Sequence, residues 1–239
     1  MSTKQIQKIK CCCSAVLIGM LLAALSAGCS NPAGGNKPSG GTAGGGSGTP
    51  PAAPFVAGGA SLILSPDKLD IKVKAITADG TPVTVEGCTK TELQSGTETV
   101  LHAKGTLVTL KGNITELYPW YNQLTALNVQ GLTALEKLWC YNNQLTELNV
   151  QGCTALQRLR CDNNQLTAAA FKKLFDDLPV RAEGDEAKCA LYIERTGVTE
   201  GNHTDFSAPP DLAAAFTDAK NNKKWKMYKC RGILNCVEI

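Results

Sequence analysis

Residues 122–142 read NQLTALNVQGLTALEKLWCYN, residues 143–163 read NQLTELNVQGCTALQRLRCDN, and residues 164–167 read NQLT. The stretch copies itself every 21 residues, so the same side chain returns at Asn122, Asn143 and Asn164. A period in this range is typical of solenoids, whose units cannot bury an apolar face alone and therefore stack. We expect equivalent side chains to lie in columns, each packed on its copy in the next unit.

The copies share the pattern L-x-x-L-x-C-x-x-N-x-L, which resembles the leucine-rich repeat. The pattern falls on Leu135, Leu138, Cys140, Asn143 and Leu145, then on Leu156, Leu159, Cys161, Asn164 and Leu166, and in degraded form on Ile114, Leu117, Pro119, Asn122 and Leu124. The resemblance implies a short parallel strand at L-x-C with inward apolar side chains, and asparagine amides that bond the backbone at the following corner. Because proline cannot donate to a strand ladder, we expect the first unit to be irregular.

The fold class that follows is an α/β solenoid, a short right-handed coil with a parallel sheet and a cap at each end. Residues 114–167 hold the repeats. Residues 61–113 alternate apolar and polar side chains around a turn at Asp79-Gly80, which predicts an N-terminal β cap with a hairpin. Val108 precedes Ile114 by six residues, as Val129 and Val150 precede the next motif leucines, which predicts part of a further unit upstream.

Residues 168–239 predict a C-terminal β/α cap. The apolar residues Phe171, Leu174, Phe175 and Leu178 have helical spacing, and Pro179 ends that helix. A strand is expected over 189–193, a second helix after 209–211, and a last strand over 225–229.

The first 60 residues do not look globular. A basic start followed by an apolar run over 15–27 predicts a signal peptide of residues 1–28, since the run is too short to span a membrane. Ser26, Ala27 and Gly28 before Cys29 resemble a bacterial lipobox, which implies lipidation of Cys29; ordinary secretion with a free thiol is the alternative. Residues 29–60, rich in Gly, Ser, Thr and Pro, predict a flexible tether, with a meaningless low-complexity insert as the alternative. We expect a lipid-anchored protein of the cell envelope, at the outer-membrane surface.

The positive charge belongs to the signal peptide. Removing residues 1–28 takes away Lys4, Lys8 and Lys10 and no acidic residue, so 24 basic and 21 acidic residues become 21 of each. A neutral mature chain argues against a nucleic-acid partner, which usually requires a basic excess.

Of the 11 cysteines, four are assigned to the signal peptide and the lipid site. Cys140, Cys153 and Cys161 occupy core positions of the repeat. Cys88, Cys189, Cys230 and Cys236 remain open to pairing. The Cys230 and Cys236 spacing has no second close pair and no neighbouring histidine, so we expect no metal.

Nothing in the sequence indicates an enzyme. His102 and His203 lie in no motif with a nucleophile or ligand, and no phosphate-binding loop, zinc signature or G-x-S-x-G elbow occurs. We expect no catalytic residue and no cofactor. Asn113-Ile114-Thr115 and Asn202-His203-Thr204 match the glycosylation sequon, and we interpret both as chance matches.

The variable positions of the repeat carry the functional prediction. If Leu138 and Cys140 point inward, strand alternation sends the residues between and beside them to the opposite, concave face. This ligand-binding face is predicted to hold Tyr118, Trp120, Tyr121, Lys137, Trp139, Tyr141, Arg158 and Arg160. Exposed Trp, Tyr and Arg are the composition of binding hot spots. The alternative is that the rings merely cover the sheet or pack against a cap.

A second candidate surface is KNNKKWKMYKCR, residues 220–231. It fits an anionic glycan or nucleic acid. Alternation favours a structural interpretation, with Trp225 and Met227 inward and Lys224 and Lys226 in water.

The whole pattern resembles leucine-rich-repeat surface lipoproteins of oral spirochaetes and their Bacteroides-type relatives. That resemblance implies a non-enzymatic adhesin that binds a host matrix, host cell or bacterial surface protein, with a glycan as another ligand. The alternative function is a periplasm-facing scaffold lipoprotein that holds an envelope partner.

Overall fold

The computed structural model describes residues 51–232 and 235–239. The predicted signal peptide, Cys29 and most of the predicted tether lie outside these residues. The described chain contains β1 (Gly59–Leu64), β2 (Asp70–Thr77), β3 (Val83–Glu86), β4 (Glu92–Leu93), β5 (Thr99–His102), β6 (Leu107–Lys111), β7 (Ile114–Tyr118), β8 (Leu124–Asn128), β9 (Lys137–Trp139), β10 (Glu147–Asn149), β11 (Arg158–Arg160), α1 (Ala168–Asp177), a 3₁₀ turn (Glu183–Asp185), β12 (Lys188–Ile193), α2 (Pro210–Asn221), β13 (Lys226–Cys230) and β14 (Cys236–Glu238).

An eight-stranded sheet has the order β14-β13-β12-β11-β9-β7-β2-β5. Its middle strands, from β7 to β13, run parallel, and each repeat contributes one of them at its L-x-C segment. The antiparallel strands β2 and β14 flank this parallel set. The repeats therefore supply neighbouring strands in register, with Leu138 opposite both Leu117 and Leu159.

A six-stranded sheet has the order β10-β8-β1-β6-β3-β4. Two repeats supply β8 and β10, which are parallel. The partial unit predicted around Val108 is separated from them, because β1 inserts between β6 and β8 and places Leu62 beside both Val108 and Leu127. All six residues of β1, Gly-Ala-Ser-Leu-Ile-Leu, are buried, as expected for a central strand. The repeat period did not predict this strand.

The predicted hairpin around Asp79-Gly80 is wrong. The turn forms, with Thr81 N–H and hydroxyl both donating to Asp79 Oδ1, but β2 and β3 enter different sheets. β2 pairs with β5 and β7, whereas β3 pairs with β4 and β6. β2 is needed to cover the first parallel strand, which has no upstream repeat to pair with.

The chain enters the domain over the six-stranded sheet. Asn128 Nδ2 donates to the carbonyl of Ala53 at 3.0 Å, and Ser61 Oγ donates to that of Pro54. β1 then begins at Gly59, within the stretch predicted as tether.

One continuous core lies between the two sheets and under the helices. The inward residues of the parallel strands include Leu117, Leu138, Leu159, Cys189 and Met227, all fully buried. Cys88, Cys140, Cys153, Cys161 and Cys189 are buried free thiols, and burial raises the pKa of Cys153 to about 12. Cys230 and Cys236 form a disulfide.

The helices lie where apolar spacing predicts them. Thr167 caps α1 by accepting a hydrogen bond from Ala170 N–H, and Leu178 ends the helix before Pro179. Phe171, Phe175 and Phe206 pack ring against ring between the helices. Neither α1 nor α2, the helices of the described chain, is long and apolar enough to cross a membrane.

The repeated asparagines form a hydrogen-bonded column beside the parallel strands. Asn164 Nδ2 donates to the carbonyls of Cys140 and Cys161, and its Oδ1 accepts from Leu145 N–H. Asn143 bonds the preceding unit in the same manner, donating to Pro119 and accepting from Leu124.

The column has a fourth member that the sequence did not reveal. Asn202 Nδ2 donates to the carbonyls of Cys161 and Leu191, and its Oδ1 accepts from Leu166 N–H at 2.8 Å. Asn202, the asparagine of one of the two sequons, is buried and serves a structural role. We call Asn122, Asn143, Asn164 and Asn202 the asparagine column.

Candidate functional site

The candidate site lies on the outward face of the eight-stranded sheet, where the side chains point away from the core. Strand alternation buries Leu138 and Leu159 and turns the residues on either side of them outward. All eight residues predicted for the ligand-binding face belong to this region. The strand β2, outside the repeats, adds Lys74 directly opposite Tyr118.

Five rings meet on this face and form the aromatic cluster, Tyr118, Trp120, Tyr121, Trp139 and Tyr141. The Tyr118 ring centroid lies 5.0 Å from that of Trp120 and 5.1 Å from that of Trp139. Trp120 stacks on Tyr141 at 6.0 Å, and Tyr121 meets Tyr141 edge to face at 5.5 Å. Such geometries stabilise ring pairs by about 0.5–1.5 kcal/mol beyond their buried area, so the cluster is a packed unit.

The rings differ in exposure. Tyr118 and Tyr141 are only 8% and 7% exposed, Trp120 and Trp139 are partly buried, and Tyr121 is 52% exposed. The sequence predicted all five as exposed, which is wrong for Tyr118 and Tyr141, because the neighbouring rings cover them. The surface open to a ligand is therefore made by Trp120, Tyr121 and Trp139.

Charged side chains fix the cluster on two sides. The guanidinium of Arg160 lies 4.5 Å from the Tyr141 ring centroid, and its Nε and Nη2 donate to the two oxygens of the buried Asp162 carboxylate at 3.0 Å. Burial raises the pKa of Tyr141, although Arg160 opposes that change. Arg160 is thus held as part of the platform under the rings.

On the other side, Glu116 accepts a hydrogen bond from the Tyr118 hydroxyl and lies 2.7 Å from Lys137 Nζ. Burial alone would raise the pKa of Glu116, but hydrogen bonds from Lys137 and Tyr118 together lower it. Burial, followed by the hydrogen bond to Glu116, raises the pKa of Tyr118 well above its usual range. Glu116 is ionised at neutral pH and orients both side chains.

The backbone at Tyr121 is strained. Tyr121 has a φ of +59°, while the equivalent residues Asn142 and Asn163 have a φ of +54°. Asparagine adopts this left-handed region readily and a bulky ring does not. Gln123 also has a positive φ, +57°, whereas the equivalent residues Gln144 and Gln165 do not, so this corner differs from those of the later units.

A pocket of about 380 Å³ opens beside the exposed end of the cluster. Trp120 and Tyr121 line one side, and the ion pair between Lys72 and Glu98, with an N–O distance of 3.0 Å, lines the other. Sequence periodicity could not place these charges here, because β2 and the residues before β5 lie outside the repeats.

The second candidate surface follows the structural interpretation. Trp225 and Met227 are buried, and Trp225 Nε1 donates to the Pro179 carbonyl at 2.8 Å. Lys224 is exposed. The remaining basic side chains lie at the surface, and Lys226 extends the outward face of the eight-stranded sheet.

The two histidines contact polar groups outside the aromatic cluster. His102 Nδ1 lies 2.9 Å from Asp70 Oδ1, and His203 contacts the Asp205 carbonyl. In residues 51–232 and 235–239, no three His, Cys, Asp or Glu side chains are grouped as metal ligands.

Comparison with protein-family models, curated proteins and solved structures finds no match for this chain.

Proposed function

We propose that this chain is a non-enzymatic, lipid-anchored surface lipoprotein that binds a protein ligand through the outward face of a short leucine-rich-repeat solenoid. The observation that supports this function is the aromatic cluster, five rings whose neighbouring centroids lie 5.0–6.2 Å apart on one sheet face. Trp, Tyr and Arg dominate the residues that contribute most to protein binding.

The way the cluster is held favours recognition over simple coverage of the sheet. Tyr118 and Tyr141 are buried, Tyr118 is hydrogen-bonded to Glu116, and Arg160 is hydrogen-bonded to Asp162 beneath the Tyr141 ring, so this platform presents Trp120 and Trp139 in fixed positions. Side chains that are ordered before binding lose less conformational entropy when a partner docks. Tyr121 adds a strained, exposed ring, and strain at a surface residue often accompanies function.

The test is binding of the soluble chain from residue 30 to 239 to a panel of matrix proteins and bacterial surfaces. The fragment must begin before Ala53, since residues 53 and 54 bond the six-stranded sheet. The double variant Trp120→Ala and Trp139→Ala is compared with the native chain. Each truncated hot-spot ring typically costs about 2 kcal/mol of binding free energy, so we expect at least a hundredfold weaker binding.

Phe55→Ala is the matched control, because Phe55 is 58% exposed and lies against Gly131, outside the outward face. Thermal unfolding verifies that all variants fold. Equal binding by the double variant and the native chain would remove the cluster from the ligand site.

The cellular location is tested separately. Protease added to intact cells should degrade the described domain if it is displayed on the surface. Protection of the domain until the outer membrane is opened would instead favour a periplasmic scaffold role.

A further inference from the structure

The structure joins two basic segments that are distant in the sequence. Lys137 lies opposite Arg158, Arg158 opposite Lys188, and Lys188 opposite Lys226, on four neighbouring parallel strands. We call these four residues the basic row. It combines the repeat positions with the C-terminal basic segment, and it lies two residues along the strands from Trp139 and Arg160.

The ends of the basic row are neutralised by close ion pairs. Lys137 Nζ lies 2.7 Å from Glu116 Oε1, and Lys226 Nζ lies 3.0 Å from Glu186 Oε1. The negative charge of Glu238 also helps to raise the pKa of Lys226, after the larger effect of Glu186.

The middle of the row has a surplus of positive charge. The described hydrogen bonds of Arg158 go to the carbonyl oxygens of Gln157 and Glu186. Lys188 Nζ is 3.8 Å from the Glu186 carboxylate, which already holds Lys226. Like charges directly opposite each other destabilise a sheet. Arg158, Lys188 and Lys226 share the single negative charge of the Glu186 carboxylate, so the middle of the row keeps a positive excess.

We propose that the basic row binds an acidic segment of the protein ligand whose apolar side chains rest on the aromatic cluster. This inference rests on the proposed function and names the chemistry of its partner. With strands about 4.8 Å apart, four cations span about 14 Å, and an extended peptide carries carboxylates at i, i+2 and i+4 over about 13 Å. A polypeptide supplies carboxylates at this spacing and apolar side chains in one extended segment, and the test below separates it from a sulfated polysaccharide.

The test measures binding of fluorescein-labelled poly-L-glutamate to the soluble chain from residue 30 to 239. The row variant is Arg158→Gln with Lys188→Gln, and the control variant is Lys90→Gln with Lys104→Gln, which removes the same charge from exposed positions outside the row. At about 0.02 M salt we expect the row variant to bind about tenfold more weakly and the control variant to bind as the native chain does. Raising the salt to about 0.3 M should weaken native binding, because screening shortens the range of the charges.

Other results overturn the inference. These are undetectable binding of poly-L-glutamate at low salt, equal loss in the row and control variants, or full binding by the row variant. Tighter binding of heparin through the same two residues assigns a sulfated polysaccharide to the row instead.

The failure of this inference is distinguishable from that of the proposed function. A matrix protein that loses binding with Trp120→Ala and Trp139→Ala, and keeps it with the row variant, leaves the aromatic site standing and removes the basic row. If poly-L-glutamate binding depends on the row, and a matrix protein binds the ring variant as it binds the native chain, the basic row stands and the aromatic site is removed.

Discussion

The asparagine column and the aromatic cluster come from the same repeats and have opposite properties. Column residues are identical, and Asn164 is buried with donor and acceptor atoms bonded to neighbouring strands. Cluster positions change from unit to unit, as from Tyr118 to Trp139 to Arg160, and point outward. The difference teaches that an invariant position of a repeat serves stacking, while a variable position is free to serve recognition.

Removing a column residue is expected to have the largest effect. Asn164→Ala leaves the buried Leu145 N–H unsatisfied, at about 1–3 kcal/mol, and removes one of the two asparagine donors from each of the Cys140 and Cys161 carbonyls, at about 1 kcal/mol for each lost hydrogen bond. We expect a loss of about 4 kcal/mol in the free energy of unfolding, measured by urea denaturation. The exposed neighbour Gln165→Ala should change it by less than about 0.5 kcal/mol. Similar values for the two variants would contradict the structural role of the column.

Truncating a buried ring tests whether the outward face is uniform. Tyr118→Ala should lower the free energy of unfolding by about 2–3 kcal/mol, because it opens a cavity beneath Trp120 and Trp139. Trp139→Ala, at a partly exposed position, should cost less stability and more affinity. Thermal unfolding and ligand binding of the two variants separate the roles, and equal stability losses would show that the exposure difference has no energetic meaning.

Replacing the strained ring should stabilise the fold. Tyr121→Asn gives this position the residue that the later units carry, and we expect a gain of about 1 kcal/mol together with weaker ligand binding. Gln123→Gly relieves the second left-handed residue of this corner and retains the ring, so it should stabilise without loss of affinity. A stability loss in Tyr121→Asn would show that the ring contributes more packing energy than its backbone costs.

The smallest effect concerns the carboxylate that orients the cluster. The pKa of Glu116 is lowered in the folded chain, so its contribution is present above the unfolded pKa, near 4.5, and is lost as pH falls through the folded pKa. Glu116→Gln should be about 0.5 kcal/mol less stable than the native chain at pH 7. The difference should shrink below about pH 4.5 in urea titrations at several pH values. A difference that persists at pH 3 would assign the effect to packing.

The sequence was informative wherever a physical requirement repeats. Stacking imposes the same side chain at Leu138 and Leu159, so the period predicted both their burial and the outward direction of Trp139 and Arg160. Helix periodicity and Pro179 likewise predicted α1. Alternation also separated the buried Trp225 and Met227 from Lys224 and Lys226.

Contacts made outside the period could not be predicted in this way. Asn202 follows Asn164 by 38 residues, because α1 and β12 intervene. β1 has no copy elsewhere, so its insertion between β6 and β8 left no signal. The burial of Tyr118 depends on rings from two units and a carboxylate, a combination that no single position reveals. Lys226 lies in one row with Arg158 because β12 pairs with both β11 and β13, and β12 lies outside the repeats.

The entry of the chain over β1 has a mechanical consequence. A pull transmitted through the residues before 51 reaches a strand that is hydrogen-bonded on both sides, to β6 and to β8, while a ligand on the aromatic cluster pulls on the other sheet. Under such a load, detaching β1 requires two ladders to break together, and resistance is set by the rate of forced unfolding instead of by equilibrium stability. Under the proposed function, the domain would be held through one sheet and loaded through the other.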